Sequence, residues 1–339
     1  MKNKIFLAII LVAALALVGQ AQAMANIEDA ITKQFEQYQT DYPEIHFLHL
    51  NGQSDLQLAE ALPSLLGKGA VNVDYEHDAE ASEALLAAQF GRIQTMISHG
   101  LPSATLFSVN KKSEFKRPYV CVVTLDAKVL AENPDIATQM MLGNVEPAAA
   151  GVRDDAWLDN ASFAAFTVDH EVFHCLDAYL EGPTFTKTFD QMEACYQRFV
   201  AEQRADLFAT AMYRRRNPQD PEFLQQLHHY RALTLLDWDT SHYTLSVMEA
   251  VQVLPIASLQ EGDVPALLQR MSLLAETAVP NYKAYTEYLA AAYEIAIARE
   301  VYGVSEAPEA KMLAAMPVEE AMRQRIQRQL ELAEAQVFG

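Results

Sequence analysis

The chain has 339 residues, with 45 acidic side chains against 25 basic ones and a net charge of −20. That length holds one large or two modest domains. The acidity disfavours polyanionic partners such as nucleic acid or an anionic membrane surface, and it permits cationic peptides as substrates. Three cysteines, Cys121, Cys175 and Cys195, cannot all pair within one chain, so this is not a disulfide-rich scaffold.

Residues 1–23 read as a secretory signal peptide. Lys2 and Lys4 form a positive start, Ile5 to Val18 is an apolar run too short to span a membrane comfortably, and Ala21-Gln22-Ala23 is a small-x-small cleavage site. The expected destination is the periplasm or the medium, with no stable membrane insertion after cleavage. Loss of the two lysines takes the net charge from −20 to −22. The mature chain then divides into a mixed N-terminal part, 24–150, and a helical part, 151–339.

In the first part, 27–38 has helical spacing, Ile45 to Leu50 alternates as a strand does, and Leu56 to Leu66 reads as a short helix interrupted near Pro63. Val71 to Tyr75 is a weak strand, and Ala79 to Ser98 a strong helix ended by Gly100 and Pro102. Ala104 to Val109 and Tyr119 to Leu125 are β-rich and flank a charged stretch, which predicts a hairpin with a long tip. From 144 to 160 the chain reads as irregular.

The second part reads as helix after helix. One is expected from about Ala161 to Leu180, with Asn160 or Ser162 as N-cap and Gly182-Pro183 as the stop. Thr188-Phe189-Asp190-Gln191 fits a capping box opening a second, to about Arg216. Further helices are expected over 221–236, 241–253, 263–277, 281–301 and 318–337. Arg214-Arg215-Arg216 suits a helix C-terminus better than a binding patch. Cys175 and Cys195, on consecutive helices, are the expected disulfide.

The first of these helices carries His170-Glu171-Val172-Phe173-His174, an H-E-x-x-H run. Chance gives such a run in roughly two sequences per hundred of this composition. On a helix, positions i and i+4 share a face, so His170 and His174 can offer two imidazoles to one cation. Glu171 can then act as general base on a water held there. The second helix carries Glu202-Gln203-Arg204-Ala205-Asp206. Glu202 can complete the ligand set, and Asp206, on the same face, can accept a hydrogen bond from a ligating histidine.

H-E-x-x-H followed by E-x-x-A-D on a later helix resembles the gluzincin class of zinc metallopeptidases, the clan of thermolysin and neprilysin. The resemblance covers roughly residues 160–250. It implies Zn2+ held by His170, His174 and Glu202, Glu171 as base, and Asp206 as partner of His170. It also implies an α+β, zincin-like fold: a small sheet in the upper N-terminal part, helices below, and the cleft between. A peptide or protein substrate would pair with an edge strand, either Tyr119 to Leu125 or Ala104 to Val109. The class places a His or Tyr from a later helix against the oxyanion. His242, oriented by Asp239 or Asp237, is the expected residue, with Tyr243 and His228-His229-Tyr230 as competitors. Asp177, three residues past His174, is an alternative ligand. The competing function is a non-catalytic periplasmic binding or scaffold protein with a structural or degenerate metal site.

Overall fold

The computed structural model describes residues 24–73, 82–143, 158–182, 191–234 and 239–302. The expected signal peptide, the irregular stretch 144–157, the capping box at 188–190 and the helix over 318–337 lie outside them. The architecture is α+β: one small mixed sheet in the first half, and only helices in the described second half. No helix among the described residues is long and apolar enough to cross a membrane.

The four strands are β1 (Ile45–Leu50), β2 (Val71–Asn72), β3 (Ser103–Ser108) and β4 (Tyr119–Thr124), in the order β1-β4-β3-β2. The expected hairpin forms: β3 and β4 run antiparallel with Ser103 opposite Thr124. β1 lies parallel to β4, Ile45 opposite Tyr119, a pairing between segments far apart in the chain. The strand expected over 71–75 forms at Val71 and Asn72 only. β4 is buried from Val120 onward. That burial on both faces is why its sequence is a continuous apolar, largely β-branched run rather than an alternation.

Side chains alternate across the pleat, so the sheet faces two cores. Val120 and Val122 join Leu50 and Phe107 under α2 (Leu56–Leu66) and α3 (Ser82–His99). Cys121 and Val123 join Phe47 and Leu106 in the main core, with the apolar stripe of α1 (24–41) and most of the later helices. α2 runs through Pro63 without the expected interruption, because Ala59, Leu62 and Leu66 all bury against the sheet and hold the turn together. Two short helices, α4 (Ala127–Glu132) and α5 (Ile136–Leu142), were not legible in the periodicity.

α6 (Asn160–Glu181) is buried over most of its length, packed beneath β3 and β4 and beside α7 (Gln191–Arg216). Its N-cap is Asp159, one residue before Asn160 and three before Ser162, the two expected caps; the carboxylate accepts from Ser162 N at 2.7 Å. Asn160 instead fastens the helix start to neighbouring turns, donating to Leu130 O and Asn133 O. Gly182, at φ 82°, ends the helix in a conformation that side chains resist.

Cys175 of α6 bonds to Cys121 of β4, with Cα atoms 5.8 Å apart, and Cys195 is free and exposed. This corrects the expected Cys175–Cys195 bridge. β4 lies directly over α6, so the cysteine beneath the sheet is the nearer partner. The bridge spans 54 residues, a loop whose closure contributes about 4 kcal/mol by chain entropy. It ties the sheet to the helix one residue from His174.

The remaining helices are α8 (Glu222–Leu233), α9 (Leu245–Gln252), α10 (Ile256–Gln260), α11 (Val264–Ala278) and α12 (Tyr282–Tyr302). The arginines at the end of α7 do more than complement a helix dipole. Arg214 donates to Val251 O and Leu254 O, Arg215 to Gly262 O and Asp263 O. Arg216 reaches the fully buried Asp169 at 2.5 Å, a carboxylate that also accepts from Tyr38 at 2.6 Å and Gln34 at 3.3 Å. α1, α6 and α7 are thereby locked together on the side of α6 away from the motif histidines.

Candidate metal centre

α6 sets His170 and His174 one turn apart on one face, with their Nε2 atoms 3.2 Å apart. α7 packs alongside and turns Glu202 toward them. Glu202 Oε2 lies 3.0 Å from His170 Nε2 and 3.4 Å from His174 Nε2. Three donor atoms therefore form a triangle with edges of 3.0–3.4 Å. Ligands about 2.0–2.1 Å from a tetrahedral zinc are spaced by about 3.3 Å. The residues present fit the ion.

A second observation points the same way. Glu202 Oε2 is buried and has three imidazole nitrogens within 3.4 Å, yet makes no hydrogen bond of acceptable geometry. Buried carboxylate oxygens are ordinarily hydrogen-bonded.

The third of those nitrogens is His242 Nε2, at 3.3 Å. His170, Glu202 and His242 also have donor atoms within 4.8 Å of one another, so the site offers two overlapping sets of three. The set with His174 is the tighter. His242 sits in the turn before α9 rather than on the helix expected there, since α9 starts only at Leu245. Asp239 holds it, its Oδ2 2.5 Å from His242 Nδ1, which aims Nε2 into the site.

Asp206 meets His170 as the sequence implied, Oδ1 to Nδ1 at 2.7 Å. The sequence did not show what else holds it. Arg231 of α8 approaches both oxygens, Nη2 at 2.8 Å and Nε at 2.7 Å, and Thr244 donates at 2.5 Å. Only the three-dimensional convergence of α7, α8 and the α9 turn reveals Arg231 and Thr244 as parts of the site. Asp177 is drawn away: its Oδ1 lies 2.8 Å from Arg204 Nη2. The competitors of His242 go elsewhere too. His228 pairs with Glu249 at 3.2 Å, Tyr230 is buried in the core, and the Tyr243 ring packs on Tyr288.

The site opens into a cleft of about 560 Å3. His170, Glu171, His174, Glu202 and His242 line it, together with Pro102, Ser103 and Ala104 at the start of β3. β4 lies between β1 and β3, so it is not an edge strand, contrary to one of the two expectations. β3 is the strand at the cleft. β2 covers it at Phe107 and Ser108, and among the described residues the stretch Ser103–Thr105 has no strand on that side.

The electrostatics are those of a centre built for positive charge. Burial opposes protonation of His170, but Asp206 and Glu202 outweigh it and raise its pKa to about 9. Burial likewise opposes charge on His242, and Glu202 and Asp239 raise it to about 10. Burial disfavours the Glu202 carboxylate, yet His242 and His174 hold it well below the usual range. Asp206 is lowered as well: burial resists, while Arg231 and His170 prevail. Glu171 moves the other way, raised chiefly by burial.

A pH dependence follows for the metal-free chain. Histidines whose folded pKa is raised stabilise the fold fully below their unfolded value of about 6.5, and lose that contribution as pH rises through the folded values. Chelator-treated protein should therefore show a falling Tm between pH 6.5 and about 9 to 10. Metal-loaded protein should show a smaller fall, because coordination would keep His170 and His174 deprotonated and leave His242 to titrate. A chelated sample whose Tm is flat across that window contradicts this account of the cluster.

Comparison of the chain with models of known protein families, with characterised proteins and with solved structures finds no match.

Proposed function

We propose that the protein is a zinc-dependent peptidase of the gluzincin kind, with a zincin-like cleft between the sheet and the helical part. The observation that carries this reading is the triangle of His170 Nε2, His174 Nε2 and Glu202 Oε2 beside a buried glutamate, Glu171, in one open cleft. These three side chains would hold Zn2+, which supplies a Lewis acid for the scissile carbonyl and makes water acidic enough to ionise near neutral pH.

The chain's own residues supply the rest. Glu171, its basicity raised by burial, takes the proton of the attacking water and delivers it to the leaving amine. His242, fixed by Asp239, donates to the developing oxyanion. Asp206 fixes the His170 tautomer by accepting from Nδ1, which leaves Nε2 free as a ligand. The start of β3 lines the cleft and would pair with an extended substrate backbone. The chain's start, read as a signal peptide, puts this activity in the periplasm or outside the cell.

The structural-site alternative has one observation in its favour, the fourth donor His242 within 3.3 Å of Glu202. A closed structural site has four protein ligands and no exchangeable water. It gives no reason for a fifth group, Glu171, to line the cleft beside the ligands.

The test is to express the chain without residues 1–23, count metal per molecule, and assay a mixed peptide library. One zinc per chain and cleavage abolished by chelation are expected; Glu202→Ala should fall below a tenth of an equivalent of metal. A chain that takes up no zinc at neutral pH, or that binds it and cleaves no peptide in the library, ends the proposal.

A further inference from the structure

Two arginines in the cleft have no role in the chemistry above. Arg198 lies on α7 one turn before Glu202, four residues away on the same face, so it stands about 6 Å along the helix axis from the ligand. Arg92 lies on α3, three residues after Gln89, and lines the cleft from the other wall together with the start of β3. Both side chains are exposed, and among the described residues neither forms an ion pair.

Their setting makes them informative. The chain has 45 acidic residues and 25 basic ones, so chance placement favours acidic walls. Among the described residues, the acidic ones lining the cleft apart from Glu171 and Glu202 come down to Asp177, and Arg204 neutralises it at 2.8 Å. A divalent cation would offset Glu171 and Glu202, and His242 is matched by Asp239. Arg92 and Arg198 then remain as surplus positive charge on opposite walls of a concave site. Concave low-dielectric walls focus such a field on whatever enters. Guanidinium groups recognise carboxylates in particular, through two parallel N–H···O bonds.

We propose that the cleft selects carboxylate-bearing peptides, with Arg92 and Arg198 as specificity-determining residues that grip anionic groups flanking the reacting bond. This rests on the peptidase reading for the ligand being a peptide, and it differs from the whole-chain charge, which permits cationic substrates. The carboxylate comes either from Glu or Asp side chains or from the peptide's own C-terminus.

Binding tests this without catalysis. Dansyl-labelled peptides in matched sets, Glu against Gln and C-terminal acid against amide, are titrated into metal-loaded Glu171→Gln protein by fluorescence anisotropy. Carboxylate peptides should bind about tenfold tighter than neutral ones at about 50 mM salt, and the gap should narrow at about 500 mM. Loss of the preference on Glu-to-Gln exchange assigns it to side chains, and loss on amidation assigns it to the terminus. Arg92→Gln and Arg198→Gln should each reduce the preference and together remove it, with thermal melts unchanged because both positions are exposed. Equal binding of acidic and neutral peptides, no measurable binding of either, or a preference that survives the double variant overturns the proposal. If the native chain cleaves neutral peptides as readily as acidic ones, only this inference falls. If acidic peptides bind tightly and are never cleaved, the peptidase reading falls and this one stands.

Discussion

Glu171→Gln is expected to lower kcat/KM for peptide cleavage by about 10^3-fold, within the range that general acid–base groups supply, while metal content stays at one ion per chain. Glutamine keeps the size and much of the hydrogen-bonding capacity of glutamate but cannot take a proton from water near neutral pH. The position is 8% exposed, in the lining of the cleft beside His170 and His174. Fold and metal site should therefore survive the change, and the native and variant proteins should melt within a degree or two of one another. Burial, which raises the carboxyl's pKa, penalises a charged group there more than a neutral one, so glutamine adds no desolvation cost. The readouts are metal analysis, a thermal melt and a progress curve on one cleaved peptide. A variant that keeps more than a tenth of the activity removes Glu171 from the chemistry, and one that loses its metal makes it a ligand instead.

Much of this site is legible in the sequence because its parts are local. His170 with His174, and Glu202 with Asp206, are each i, i+4 pairs, and helical periodicity puts each pair on one face. What periodicity cannot give is which helix lies beside which. The meeting of α6 with α7 was an expectation from the motif pair, and the distances of 3.0 and 3.4 Å supply its geometry. Arg231 and Thr244 were invisible for the same reason: nothing in their own neighbourhoods marks them as partners of a residue 25 or 38 positions earlier. The parallel pairing of β1 with β4 and the Cys121–Cys175 bridge were missed alike. Adjacency in sequence points to Cys195, whereas the sheet lying over α6 brings Cys121 to Cys175. The N-cap was missed by a single residue, since Asp159, Asn160 and Ser162 are all competent caps and only geometry selects among them.

Asp206→Ala should do the greatest damage to the fold and also reach the metal. The carboxylate is fully buried and gathers His170, Arg231 and Thr244 at 2.5–2.8 Å. Truncation leaves the Arg231 guanidinium, itself 7% exposed, without its counter-charge. Breaking one side of a buried ion pair in this way costs about 3–5 kcal/mol. It also frees the His170 ring to flip or change tautomer, and loss of such a partner weakens metal binding about 10- to 100-fold. The two effects have separate origins, so a second variant can part them. Asp206→Leu combined with Arg231→Met replaces the pair by apolar groups of similar bulk and should recover most of the lost stability, because no charge is left buried alone. It should not recover metal affinity, because His170 Nδ1 still lacks an acceptor. Urea denaturation of the metal-free proteins measures the first effect, and competition with a chromophoric chelator the second. If Asp206→Ala costs under about 1 kcal/mol, the buried pair is not what holds α7 to α8. If the double variant regains full metal affinity, the hydrogen bond to His170 is not what positions the ligand.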